Sequence, residues 1–541
     1  MARFSVKHIA IGIVLLALLM RLPEMFISLA YDEIWTLLNF TRLDFMRLLF
    51  DLELPNNHPL NSILIKLLTY IDIPTGAIRI FSLIAGLASV VLCGLIARKK
   101  GGEPAMLWSM FFAAISAPLI VYSAQARGYS LQVCFVLLYT YALMNLYPEQ
   151  TERRGLNIVL LAAGAVGAIL SLPTSALFLA AATLILWDHA NWKMPPRRLL
   201  IVLFSTAAVC LLYILLNLKG LLAARSWGES INSVSGYLVW LGATWLMLIP
   251  IGFVVQTLWG IYTMRRYWKG LTAAFLLIYL SAIFTNGGPH RVYTVITAAL
   301  AICGGIGMSK LQEQVTCKYR LPLQMLAILL ALAGNFYWDM PRWRFTDYSY
   351  VCAVMKNQPP EVLVIYPAGD TYPVLFATGN QAADQYVLSL RDTRARRQLL
   401  LVNTAPGSII GADQDFSQQT LTLPAGQTEK TANVAAQRYE LEKLSGAWPD
   451  DAHIIAVIHP QNLPEATQKL KADFLQHTNN GKVLLLNLWF TGAQLSDGGI
   501  CHGAVYYLAP GAVNANRRAG WPANYAGKIS FYRINFPRTA Q

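Results

Sequence analysis

The chain has 541 residues, 55% of them apolar and only 13% charged, about half the roughly 25% charge of an ordinary soluble domain. Its mean hydropathy is +0.43, and the apolar residues fall in repeated membrane-length runs rather than in one large core. A single soluble enzyme, a disordered chain and a disulfide scaffold are excluded. The formal charge of +14 is unevenly placed: residues 1–338 hold 25 Lys and Arg against 13 Asp and Glu, and residues 339–541 hold 18 against 16. Basicity that follows the apolar part marks cytoplasmic loops and contact with anionic lipid, not nucleic acid.

Arg3 and Lys7 precede an apolar stretch from Ile9 to Met20. Ser28-Leu29-Ala30 has the small residues of a signal-peptide cleavage site, but Arg21, Pro23 and Glu24 interrupt the approach to it. An uncleaved first span over about residues 8–30 is expected. The next apolar run, His58–Ile71, has 14 residues, which as a helix reach about 21 Å, short of the roughly 30 Å hydrocarbon core. Laid along the interface, that run leaves the Arg98-Lys99-Lys100 cluster on the inner side. Further spans are predicted near 75–97, 104–123, 129–147, 156–171, 174–188, 198–217, 237–262, 270–285, 292–309 and 321–338, eleven in all. The short pair at 156–188 is divided by Pro173, which also reads as a kink. Inner ends then carry 16 Lys and Arg and outer segments 8, so the N-terminus is expected in the cytoplasm and the C-terminus outside.

After Trp338 the pattern changes. Glu361–Tyr366, Ile454–Ile458 and Val483–Leu488 read as buried strands, with a polar helical stretch at Pro464–His477. The expected architecture is a polytopic α-helical membrane protein with a C-terminal extracytoplasmic α/β domain. The transmembrane module covers 1–338, with 31–74 as a first outer loop bearing juxtamembrane helices, and the soluble domain covers 339–541. No CxxC or metal-ligand spacing occurs among the seven cysteines. Cys352 and Cys501 fall on the outer side, where an oxidising compartment would permit a disulfide.

Several clusters share that outer side. Tyr31-Asp32-Glu33 sits at the mouth of the first span, where two adjacent acids are costly unless solvated, paired or used; they also suit the N-terminus of a following helix, Ile34–Phe50. Asn56-Asn57-His58-Pro59 opens the interfacial run, and ordinary helix capping explains it as well as ligand binding does. Gln125-Ala126-Arg127-Gly128-Tyr129 forms a short outer turn whose arginine either snorkels or grips a phosphate. Pro289-His290-Arg291 places a second arginine at an outer span start.

The order of these motifs adds to their separate weight. YDE, HPL about 25 residues on, RIFSLIAGL before a span, QARGYSL after the next, and HRVYTVITAAL further along together resemble the GT-C membrane glycosyltransferases. Among these the chain is most similar to the bacterial group related to protein O-mannosyltransferases and aminoarabinose transferases. The resemblance covers nearly all of residues 8–370 and leaves 371–541 outside it. It departs from the family pattern at Leu60, usually a second proline, and at Gln125, often an acid.

The resemblance implies a transferase of the bacterial inner membrane that uses a polyprenyl-phosphate sugar at the outer face. Asp32 is then the catalytic base, with Glu33 beside it placing the acceptor. Arg127 and Arg291, with His290, bring positive charge to the donor phosphate. Tyr31, Asn57, His58, Gln125 and Tyr129 are candidates for sugar or acceptor contacts. The acceptor is a hydroxyl of an envelope glycan, lipid or protein. A hydroxyl is a weak nucleophile and needs a base, whereas phosphate needs only charge neutralisation. One base and attack from the face opposite the leaving group imply inversion at the anomeric carbon. The scheme requires no cofactor, and Asp32-Glu33 without a third ligand is thin support for a divalent metal. Two rivals remain: a transporter or lipid flippase, expected to carry ionisable residues at mid-membrane depth, and a non-catalytic scaffold whose outer domain binds glycan.

Overall fold

In the computed structural model the described residues are 5–27, 29–52, 57–71, 75–147, 154–224, 233–284 and 288–343, together with ten strands between 362 and 534. The chain divides into two compact units, residues 1–26 with 39–344, and residues 27–38 with 345–541.

The first helices are α1 (Val6–Met25), α2 (Tyr31–Asn39), α3 (Phe45–Phe50), α4 (Pro59–Thr69), α5 (Ile80–Ile115) and α6 (Ala117–Ser123). Then come α7 (Gly128–Leu146), α8 (Arg154–Ser171), α9 (Ser175–His189), α10 (Arg197–Leu216), α11 (Leu218–Ala224) and α12 (Val234–Leu248). The last are α13 (Val254–Thr263), α14 (Trp268–Phe284), α15 (Thr294–Gln314), α16 (Cys317–Gly334) and α17 (Met340–Trp343). Among the described residues, seven helical segments are long and apolar enough to cross a membrane, and a bent pair over Val234–Leu248 and Ile251–Thr263, turned by 68°, makes an eighth. Of the remaining expected spans, α9 has 15 residues and α14 has 17.

One of those seven segments is itself folded back. At Gly102 the backbone of α5 turns to φ 69°, a conformation glycine enters without a Cβ penalty. In a straight helix, residues 94 and 110 would stand about 24 Å apart. Yet a Cβ on Gly94 would lie 2.4 Å from the Met110 side chain, and one on Gly86 2.2 Å from Ser123. The two halves therefore form an antiparallel hairpin, and Arg98 pairs with Glu103 at 3.5 Å across its turn. The punctuation that separated the expected spans 75–97 and 104–123 is this turn.

The helix expected over Ile34–Phe50 is broken in three: α2, a 3-10 turn at Phe40–Arg42, and α3. Two local competitors stop it. The Asp44 carboxylate accepts the Arg47 amide at 2.8 Å and starts a new helix. Lys66 Nζ donates to the Thr41 and Leu43 carbonyls at 2.8 and 2.7 Å, so these oxygens need no continuing helix. Helix α4, with 11 residues, is about 16 Å long, short of the roughly 30 Å hydrocarbon core.

Glycines set the closest helix crossings. A Cβ on Gly260 of α13 would fall 1.8 Å from the Cys303 carbonyl oxygen, and one on Gly307 of α15 1.9 Å from that of Gln256. Backbone thus lies on backbone along the α13–α15 seam, the small-residue packing of membrane helices. The buried Arg21 of α1 crosses to the break between α5 and α6. Its guanidinium donates to Ser123 Oγ at 2.6 Å, to the Ala114 carbonyl at 3.0 Å and to its own helix at Ala17 O, 2.9 Å.

In the second unit, strands β1 (Val362–Ile365), β5 (His453–Ile458) and β6 (Lys482–Phe490) pair in parallel, with Val364 opposite Ile455 and Ile454 opposite Val483. They overlap the three strands expected from sequence. On its other side β6 takes β7 (Cys501–Val505) and β10 (Arg533–Ile534), both antiparallel. Separate from this sheet, β2 (Leu401–Asn403), β3 (Gln419–Thr422) and β4 (Lys430–Ala432) form an antiparallel meander, and β8 (Val513–Asn514) pairs with β9 (Ser530–Phe531). The expected helix at Pro464–His477, and Cys352, one of the two outer cysteines, lie outside the described residues.

Candidate functional site

The first unit gathers three of the sequence-selected residues, Arg127, Arg291 and His58, around the ring of a fourth, Tyr129. Arg127 is the N-cap of α7, in extended backbone at φ −132°, and three helices fix its turn. Asn61 of α4 donates to the Ala126 carbonyl at 2.9 Å, Ser82 of α5 donates to the Arg127 carbonyl at 3.3 Å, and Ser130 returns a bond to the Ser82 carbonyl at 2.8 Å. Gly128 is where α7 passes closest: a Cβ there would stand 2.8 Å from both the His58 Cβ and the Ser171 carbonyl oxygen.

This scaffold aims two cations at Tyr129. The guanidinium carbon of Arg127 lies 5.5 Å and that of Arg291 5.8 Å from the centroid of its buried ring, within cation–π range. His58 meets the same ring edge-on at 5.0 Å, and Tyr122 does so at 4.9 Å. Beyond Tyr122 stands Trp343, at 5.6 Å. A small cavity beneath is lined by Tyr122, Tyr129, Ser130, Ser89 and Thr294.

His58 departs from the capping expectation: its side chain makes no cap bond to α4. Instead its Nδ1 lies 3.3 Å from the Ser171 carbonyl oxygen, which only accepts, so Nδ1 carries the proton and Nε2 holds the lone pair. Nε2 is buried and has no hydrogen-bond partner among the described residues. Burial, then the nearby charges of Arg127 and Arg291, hold the imidazole well below its ordinary pKa; the ring is neutral at pH 7. Asn57 acts as a clamp. Its Nδ2 donates to the Leu48 and Asp51 carbonyls at 3.0 and 2.7 Å, and Ser62 donates to its Oδ1 at 2.9 Å. Gln125 is buried, with Nε2 unpartnered among the described residues. His290 is buried, its Nδ1 2.8 Å from Thr244 Oγ1, which fixes the 3-10 turn His290–Tyr293 that carries Arg291.

Asp32 and Glu33 belong to the other unit and are described by themselves. Both lie in the first turn of α2, which Tyr31 opens. Glu33 is fully buried and its Oε2 accepts the Ala30 amide at 2.8 Å, half of a capping box. Its carboxylate therefore fixes the start of α2, while Asp32 is partly exposed. Among the described residues no three His, Cys, Asp or Glu side chains gather as a metal site requires.

Sequence reading passed over Asn61, Ser82 and Ser171, which hold the turn and the imidazole. Asn61, three residues after His58 and so on the same helical face, carried the only available signal. Arg79, just before α5, is fully buried and donates to the Glu24 and Met25 carbonyls at 3.2 and 2.9 Å, closing the end of α1.

No protein-family model and no curated protein sequence matches the chain. Solved structures similar to it include the oligosaccharyltransferase of Archaeoglobus fulgidus, at 11% identity and TM-score 0.47, covering 73% of this chain and 68% of that one. The oligosaccharyltransferase AglB from Archaeoglobus fulgidus, in complex with an inhibitory peptide and a dolichol-phosphate, is similar at 11% identity and TM-score 0.44, over 74% of this chain and 69% of that one. ArnT from Cupriavidus metallidurans bound to undecaprenyl phosphate is similar at 13% identity and TM-score 0.43, over 73% of this chain and 92% of that one.

Proposed function

We propose that this chain is a membrane glycosyltransferase that moves a sugar from a polyprenyl phosphate to a hydroxyl acceptor on the outer face of a bacterial inner membrane. The observation that carries the reading is the pair of guanidinium groups, from helix starts far apart in sequence, converging on Tyr129 beside a neutral histidine. Two fixed cations suit a phosphate diester and the phosphate it leaves behind, and the order of motifs supplies the sugar.

In the reaction the acceptor oxygen forms a bond to the anomeric carbon as the bond from that carbon to the phosphate oxygen breaks. The acceptor proton passes to the Asp32 carboxylate, and both bonding electrons leave with the phosphate. Arg127 and Arg291 neutralise the charge that develops there, so no acid is needed. Glu33 positions Asp32 through α2. Attack opposite the phosphate inverts the anomeric centre, and the scheme is written without a metal or other cofactor.

The test compares a strain lacking the chain with the same strain carrying wild type or Asp32→Asn, by mass spectrometry of polyprenyl-phosphate sugars and envelope glycans. One lipid-linked sugar should accumulate, and one glycan or modified lipid should lose a residue, in both the deletion and the Asn strain. Unchanged pools would overturn the reading. With purified protein in nanodiscs, Arg127→Ala and Arg291→Ala should each weaken undecaprenyl-phosphate binding about 10- to 100-fold, the worth of a charge-assisted hydrogen bond.

A further inference from the structure

Past α16 the chain makes a π-helical turn, Asn335–Asp339, and then the four-residue α17. The last residue of α17, Trp343, is 1% exposed. Its ring meets Tyr122 of α6 edge-on at 5.6 Å, and Tyr122 meets Tyr129 at 4.9 Å. Its indole Nε1 donates to the Met247 carbonyl of α12 at 3.0 Å, and Arg342 beside it reaches Met247 Sδ at 3.5 Å. One side chain therefore bridges the Tyr129 side of the arginine site to α12.

The need for that bond follows from how α12 ends. The helix stops at Leu248, where Ile249 turns to extended backbone, and the helix pair is bent by 68° at the break. The last carbonyls of a helix have no amide of their own helix ahead of them. The Ile249 amide still bonds the Trp245 carbonyl at 2.9 Å. The Met247 carbonyl goes to Trp343, and the Leu248 carbonyl accepts Thr297 Oγ1 of α15 at 3.4 Å. Side chains from two other helices thus hold the end of α12.

The same helix supports the turn that carries Arg291. The buried residues of α12 are Trp240, Thr244, Met247 and Leu248, a helical spacing that puts them on one face. From that face Trp240 Nε1 donates to the Gly288 carbonyl at 3.2 Å, and its ring lies 5.6 Å from that of Tyr293. Thr244 Oγ1 is 2.8 Å from His290 Nδ1. These contacts bracket Arg291, whose guanidinium carbon stands 5.8 Å from the Tyr129 centroid. Trp343 therefore closes a circuit of contacts that leaves Tyr129 through Tyr122 and returns to it through α12 and Arg291.

We propose that Trp343 is a positioning residue, which holds Arg291 against Tyr129 through α12. That the held arginine meets a donor phosphate rests on the transferase reading above; the positioning does not. Trp343→Phe keeps an aromatic ring beside Tyr122 and removes the donor to Met247. Thr244→Val opens the circuit at the His290 contact with little change of shape. With the full chain in nanodiscs, hydrogen exchange read by mass spectrometry should be at least fivefold faster over 288–296 in both variants and unchanged over α4 and α7. If Trp343→Phe fails to fold, Thr244→Val carries this measurement. The second measurement is undecaprenyl-phosphate binding in a double-mutant cycle. Trp343→Phe should weaken binding about 3- to 10-fold, the worth of one hydrogen bond, in wild type and in Arg127→Ala but not in Arg291→Ala. A general loosening of the fold would cost the same in all three. Unchanged exchange over 288–296, exchange raised equally over α4 and α7, or the same loss of binding in Arg291→Ala would each overturn the positioning. If Arg127→Ala and Arg291→Ala both bind undecaprenyl phosphate as wild type does, the donor reading fails, and faster exchange confined to 288–296 still establishes the positioning.

Discussion

At the scale of single residues, Gly128 and His58 belong to one device. The Cβ that alanine would add at 128 meets His58 Cβ and the Ser171 carbonyl oxygen at 2.8 Å, and neither is the free end of a flexible chain. Gly128→Ala should therefore cost about 1–3 kcal/mol as an overpacked contact and tilt the imidazole away from Tyr129. A lower apparent melting temperature together with weaker donor binding checks it, and an unchanged melting temperature counts against the packing. His58 gives a second expectation, from its depressed pKa. Above the ordinary value of about 6.5 the ring is neutral folded and unfolded. As pH falls through that value the unfolded chain takes up a proton that the folded chain refuses, so stability is lost toward acid. The melting temperature should drop between pH 7 and pH 5, with a shallower slope in His58→Gln; equal slopes would remove His58 as the source. The turn Gln125–Tyr129 was legible because so short a connection between spans leaves its arginine little freedom. The role of His58 was not, because a histidine before proline at a helix start has the composition of a cap whether or not it bonds as one.

Among the elements, the break between α5 and α6 depends on a side chain from a third helix. Arg21 donates to Ser123 Oγ and the Ala114 carbonyl while remaining tied to Ala17 O, so its planar fork joins α1 to the orphaned end of α5. Lysine keeps the charge but has no fork to reach these partners together. Arg21→Lys should destabilise by about 2 kcal/mol, roughly the worth of one hydrogen bond to a charged group, and reduce the monodisperse fraction in detergent; no change would show the joint to be dispensable. The sequence marked Arg21 as a charge within a span without revealing its partners, which lie 93 or more residues away. The α5 hairpin was easier to read because Gly101, Gly102 and Pro104 punctuate it locally. The π turn after α16 has no such mark: one extra residue in a helical turn leaves composition and periodicity unchanged. Strands β1, β5 and β6 were visible as short runs of Val, Ile and Leu, whereas two-residue strands such as β8 and β10 lack enough alternation to stand out.

For the whole molecule, the proposed orientation follows from one short helix. Had α4 crossed the bilayer, every later loop would exchange sides, and the basic cluster Arg98-Lys99-Lys100 at the α5 turn would face outward against the positive-inside bias. Its 11 residues reach only about 16 Å, and its buried face, with Asn61, Ser62 and Ile65, packs inward while Leu67 is 46% and Tyr70 68% exposed. That amphipathic placement, apolar on the outer flank and polar where Asn61 reaches the Ala126 carbonyl, fits a helix lying in the interface beside the arginine turn. Single cysteines on a cysteine-free background read the arrangement directly. Tyr70→Cys should react with a membrane-impermeant maleimide in sealed right-side-out vesicles, and Lys99→Cys only after permeabilisation. The reverse pattern would invert the topology and put the Arg127 and Arg291 cluster on the cytoplasmic side, where a donor would have to be used before crossing the membrane. Labelling of both from outside would show that the α5 half before Gly102 does not cross, and would leave the charge bias of residues 1–338 to be explained by lipid contact alone.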